Sequence, residues 1–130
     1  MGVKFTIPAS LASGTNLSND SYVSVERLPK ATSCNATMFL SQHGMASNVI
    51  SNIAEGDITY SVASTSDAGA GNRYEEMVYA LPGTSPCVAV RYFVHYGAFE
   101  NYPAGTTQEF NKPLLLSTFD SIRHTLILSH

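Results

Sequence analysis

Charge is scarce in this chain. Asp, Glu, Lys and Arg make up 13% of its 130 residues, about half the share of roughly 25% usual in globular domains. Seven Lys and Arg stand against ten Asp and Glu, for a net charge of −3. No basic stripe is available to follow a phosphate backbone, so nucleic acid is excluded as a partner class. No apolar run reaches the length of about 18 residues that a membrane-spanning helix needs. No signal peptide is visible at the start of the sequence, so in an exported protein it would have been cleaved or would lie upstream of this stretch. Neither HxH nor HExxH occurs around His43, His95, His124 and His130, and no metal or cofactor is expected. GxSxG is absent too, so no nucleophile elbow is expected.

Cysteine is nearly absent. Cys34 and Cys87 are the two present, and without CxxC they do not form a metal motif. They are either a disulfide or a pair of buried thiols in a cytosolic protein. A surface rich in Ser, Thr and Asn rather than charge fits an exported protein and favours the bridge.

The remaining composition is that of a folded domain. Hydrophobic residues make up 44%, and the 130 residues suit a single domain with one sizeable core. The clearest pattern runs from Arg73 to Tyr96. Val88, Val90, Tyr92 and Val94 alternate with Ala89, Arg91, Phe93 and His95, the period of a half-buried strand. Tyr74–Leu81 is a second strand, and Pro82-Gly83-Thr84-Ser85-Pro86 supplies the reversal between them. Pairing Leu81 with Cys87 sets a register in which Arg73, Glu75, Arg91 and His95 share one face. A slip of one residue would take Glu75 to the other face and disperse that cluster.

Earlier in the chain, Val3–Ile7 and Tyr22–Leu28 read as strands that pair across the polar loop Ser10–Asp20. Ser33–Gln42 reads as a short helix capped by Ser33 or Asn35 and ended by His43-Gly44. Val49–Ile53 and Ile58–Ala63 form another hairpin, followed by a small-residue loop, Ser64–Asn72. Gly97–Glu109 is a loop carrying Phe99 and Tyr102. Asn111 caps a final helix over Lys112–Thr125, with Pro113 in its first turn. Leu115, Phe119, Ile122 and Leu126 form its apolar stripe, with Asp120, Arg123 and His124 off it. Asn16, Asn19 and Asn35 each begin an N-x-S/T sequon.

Arg73, Glu75, Arg91 and His95 form the one concentration of complementary charge. It reads first as a solvent-facing ion-pair network. It also supplies the weak candidate ligand residues, together with Tyr96, Phe99 and Tyr102 in the loop that follows. An enzyme would use Glu75 and His95 as acid and base.

The segments GNRYEEMVYALPGTSPCVAVRYFVHYGAFENYPAGT and EFNKPLLLSTFDSIRHTL resemble an uncharacterised domain of bacterial exported proteins and lipoproteins. The order of a sheet followed by a terminal helix is also similar to PsbP-like domains. The resemblance implies an extracytoplasmic location, periplasmic, membrane-anchored or secreted, and a bridged Cys34–Cys87 pair. It brings no catalytic residue.

These readings converge on an α+β domain. An antiparallel sheet of about six strands carries a C-terminal helix on one face and a short helix near Cys34. The expected role is a non-enzymatic binding or accessory domain of the cell envelope, with protein or cell-wall glycan as its partner. Two alternatives stand beside it. One is an inhibitor of a secreted hydrolase that inserts the Ser10–Asp20 loop. The other is a small hydrolase or isomerase built on Glu75 and His95.

Overall fold

The computed structural model describes residues 3–29, 33–41 and 49–128. Its strands are β1 (Val3–Thr6), β2 (Tyr22–Leu28), β3 (Val49–Glu55), β4 (Ile58–Gly69), β5 (Asn72–Leu81) and β6 (Cys87–Gly97). The helices are α1 (Ala9–Ala12), α2 (Ala36–Ser41) and α3 (Lys112–Leu128). The six strands form one antiparallel sheet in the order β1-β2-β6-β5-β4-β3. The α+β class, the six-stranded sheet, the C-terminal helix and the short helix near Cys34 are all as the sequence implied. The expected helix stop at His43-Gly44 lies outside the described residues.

β6 is central, with Val90 opposite Val25 of β2 on one side and opposite Tyr79 of β5 on the other. Its alternation divides the core between two faces. Val88, Val90, Tyr92 and Val94 meet Val23, Val25, Tyr60, Val62 and Tyr79 on the face that α3 covers with Leu115 and Phe119. Burying each such side chain contributes about 1.5–3 kcal/mol. Cys87 and Ala89 lie on the opposite face with Ala63, Val78 and Ala80, under Ala36, Phe39 and Leu40 of α2. Alanines at the centre of that face let a short helix approach the sheet closely. Asn35 Oδ1 caps α2, accepting from the Met38 amide at 3.1 Å. Asn111 Oδ1 likewise accepts from Leu114 at 3.0 Å at the start of α3. A Cys34–Cys87 disulfide fastens the α2 segment to the first residue of β6.

The register of the central hairpin differs from expectation by one residue. Leu81 pairs with Val88, not Cys87, and Tyr74 lies opposite His95. Thr84 accounts for the longer turn: its hydroxyl donates to Leu81 O at 2.8 Å and accepts from the Val88 amide at 2.9 Å. Cys87 is thereby turned toward Cys34. The Ser64–Asn72 segment is also not a loop. β4 continues to Gly69, and a two-residue turn at Ala70-Gly71 leads directly into β5. Both turn residues have positive φ, 53° and 81°, as the tight hairpin turns that match strand twist require.

Two of the four arginines are spent inside. Arg91 and Arg123 are each 1% exposed, the first beneath α2 and the second reaching from α3 onto the sheet. Arg91 donates to Glu26 at 2.7 and 2.9 Å, to Glu76 at 2.8 Å and to the Phe39 carbonyl at 3.0 Å. It therefore belongs to the core rather than to a solvent-facing network. Arg123, expected off the apolar stripe, extends between the rings of Tyr60 and Tyr79, 4.7 and 4.1 Å from their centroids. There it meets Glu55 at 2.7 Å and the Tyr92 hydroxyl at 2.8 Å. Burial works against charge on both guanidiniums, but Glu26 and Glu76 at Arg91, and Glu55 with Tyr92 at Arg123, outweigh it and hold both pKa values above the ordinary one.

Candidate functional site

The hairpin register decides which candidate residues meet. On β5, Arg73 and Glu75 face the α3 side, as does Tyr96 of β6, which pairs with Arg73. Arg91 and His95 face the other side, opposite Val78 and Tyr74. The cluster of Arg73, Glu75, Arg91 and His95 is therefore split by the sheet. Glu75 and His95 cannot act on one substrate as an acid–base pair.

The α3 side has a site at the β4–β5 turn. A cavity of about 480 Å³ is lined by Ser66, Asp67, Ala68, Arg73, Tyr74, Glu75 and Tyr96. Small residues of β4 leave room where a bulky side chain would fill the surface. Lys112, in the first turn of α3, reaches one of these residues, its Nζ 2.5 Å from Glu75 Oε1. A lysine is poorly placed at a helix N-terminus, where the dipole is positive, and Glu75 offsets that cost. The Tyr96 hydroxyl donates to the other Glu75 oxygen at 2.5 Å. Burial, this hydrogen bond and the carboxylate's charge push the Tyr96 hydroxyl up to about 12. Arg73 has a looser partner, Glu100, at 3.8 Å. Lys112 and Asp67 were not anticipated as site residues; the first read only as a helix start and the second as part of a loop.

The Gly97–Gly105 segment curls over the same end of the sheet. The Ala98 amide donates to Gly71 O at 2.8 Å, and Asn16 Nδ2 donates to Gly97 O at 2.7 Å. Tyr102 lies so close over Gly97 that a Cβ there would collide with its hydroxyl and ring. Phe99 and Tyr102 remain exposed. Five candidates, Arg73, Glu75, Tyr96, Phe99 and Tyr102, thus gather at one end of the molecule, while His95 lies on the reverse face and Arg91 in the core.

On the reverse face, His95 closes an aromatic ladder. Its ring stacks on Tyr74 at 4.4 Å, Tyr74 lies 6.2 Å from Phe93, and Phe93 stacks on Tyr22 at 5.0 Å. Lys4 caps the Tyr22 ring at 4.5 Å. The rings are turned on one another, so this face offers cross-strand stability rather than an open platform. The His95 Nδ1 is 2.8 Å from Asp20 and its Nε2 2.9 Å from Asn72 Oδ1. Burial raises the Asp20 pKa, but hydrogen bonds from Ser18 and His95 outweigh it, and the carboxyl ends below its ordinary range.

The Ser10–Asp20 segment does not protrude. Thr15 bridges to Gln108 and Leu17 to Tyr96, with Asn16 and Leu17 buried. Asn16 Oδ1 accepts from the Phe110 amide at 2.8 Å, so the first sequon is closed to modification in the folded chain. Among the described residues no group of three or more His, Cys, Asp or Glu converges on a metal-sized space, and no helix is long and apolar enough to cross a membrane. No protein-family model, curated protein or solved structure matches this chain.

Proposed function

We propose that this chain is an extracytoplasmic, non-enzymatic binding domain of the cell envelope, and that it holds a cell-wall glycan at the β4–β5 end of the sheet. The observation that carries this reading is the cavity bounded by Arg73, Glu75 and Tyr96. Its volume falls within the roughly 300–1,000 Å³ of ligand pockets. Its charges are largely neutralised from within, Glu75 by Lys112 and Arg73 by Glu100. A ligand with net charge would have to break those pairs. A neutral polyhydroxylated ligand can accept from Arg73 and donate to the remaining lone pairs of the Glu75 carboxylate while leaving both ion pairs in place. Phe99 and Tyr102 present exposed rings on the segment that follows β6, available to the apolar face of a sugar. The disulfide supports an oxidising compartment.

Titration of the isotope-labelled, oxidised chain with soluble cell-wall glycan fragments tests the reading. The amides of Ser66–Tyr74 and Tyr96–Tyr102 are expected to shift, and Arg73→Ala to weaken binding about tenfold or more, in line with a lost charge-assisted hydrogen bond. Shifts confined to the Tyr22–Phe93 face, or glycan binding indifferent to Arg73→Ala, would reject the site. No shift with any glycan would reject the ligand class.

A further inference from the structure

The sheet has two edges, and only one is protected. β1 is four residues long, carries Lys4 and is followed by Pro8; short length, lysine and proline are the usual defences of an edge strand. β3, Val-Ile-Ser-Asn-Ile-Ala-Glu, is seven residues long and pairs with β4 along its whole length, from Val49 opposite Ser64 to Glu55 opposite Ile58. It has neither lysine nor proline, and its one charged residue, Glu55, is held by Arg123. Among the described residues nothing pairs with its outer side. Ser51, Asn52 and Ala54 are exposed, and none of them is bulky or charged.

We propose that β3 pairs antiparallel with β3 of a second copy of this chain, joining two six-stranded sheets into one. The strand is compatible with itself. With the two-fold axis at Asn52, Ser51 lies opposite Ile53 on the α3 side, Ile50 lies opposite Ala54, and Asn52 meets its own copy, where two amides can bond to each other. The two Glu55 carboxylates fall at opposite ends of the pair, about 20 Å apart at roughly 3.3 Å per residue, well beyond a Debye length of about 8 Å. No like charges therefore face each other. Such a self-complementary contact closes after two copies and leaves only the two guarded β1 edges exposed. The axis is perpendicular to the sheet, so both α3 helices and both β4–β5 cavities open on the same side. That geometry suits simultaneous engagement of a repeating polymer, but the dimer does not depend on what the cavity binds.

Sedimentation velocity of the oxidised full chain over a wide concentration range, with hydrogen exchange at each end of it, tests the proposal. A monomer–dimer equilibrium is expected, with outward-facing β3 amides slowing as the dimer fills. Asn52→Lys and Ala54→Lys place ammonium groups at an exposed edge. Asn52→Lys is expected to weaken dimerisation about tenfold or more, since two ammonium groups then oppose at the axis, and Ala54→Lys to weaken it less, by setting an ammonium against Ile50 of the second copy; neither is expected to change the monomer's melting temperature. A monomer at every concentration overturns the proposal. So does a dimer that both variants leave intact, because its interface must then lie elsewhere.

Discussion

Replacing Arg91 by methionine should damage this fold more than the same change at Arg123, although both guanidiniums are 1% exposed. The difference lies in what is left behind. Arg91 neutralises Glu76, whose side chain is 8% exposed, and Glu26, at 24%. Without the guanidinium, two carboxylates face each other under α2 with little access to water, and the Phe39 carbonyl loses its donor. Breaking a buried pair in this way costs about 3–5 kcal/mol, and we expect about 4 kcal/mol for Arg91→Met. The partners of Arg123 are Glu55, at 36%, and Asp120, at 43%, and both can be rehydrated when it is removed. Discounted for that exposure, Arg123→Met should cost about 2 kcal/mol, much of it the lost stacking on Tyr60 and Tyr79. Arg91→Met with Glu76→Gln should recover part of the loss, since one stranded charge is gone. Urea unfolding followed by far-ultraviolet circular dichroism, with the disulfide intact, measures all three. Equal costs for the two single variants, or a double variant less stable than Arg91→Met, would refute the reasoning.

Other consequences are as direct. Reducing Cys34–Cys87 opens a loop spanning a sequence separation of 53, worth about 4 kcal/mol in the chain-entropy model; paired oxidised and reduced denaturation curves measure it, and an unchanged midpoint would refute it. Hydrogen bonds from Arg123, against burial, hold the Glu55 carboxyl below its ordinary value of 4.5, so its contribution is complete above that pH and fades as the pH falls through the lower folded value. Glu55→Gln should therefore lose stability near neutrality and show a shallower acid arm in a series of thermal melts. Gly97→Ala sets a methyl against the Tyr102 ring; a cost of about 1–3 kcal/mol and displaced Tyr102 resonances are expected, and an unperturbed Tyr102 would contradict the packing.

The parts of this fold that were legible in the sequence are those with one dry face and one wet one. β2 runs from Tyr22 to Leu28 as its alternation indicates, and α3 begins at Lys112 behind its Asn111 cap. The hairpin register was not legible, for a physical reason. Near Leu81 both faces of β5 are apolar, with Tyr79 and Leu81 turned to α3 and Val78 and Ala80 to α2. Binary patterning fixes register only where one face must avoid the core, so neither side objected to a shift of one residue. Volume separates the two registers. The observed one puts the tyrosines under the long helix and the alanines under the short one, where close approach is needed. The same error assembled the charge cluster, because Glu75 and His95 share a face only in the slipped register. Arg91 and Arg123 eluded pattern reading because periodicity treats a charged side chain as outward. A long apolar stem ending in a fork of donors can enter the core wherever carboxylates line its path. In a chain with so few charges, both buried arginines have carboxylates waiting, Arg91 on the strands either side of its own and Arg123 on the edge strand β3, and scarcity of charge was itself the available clue.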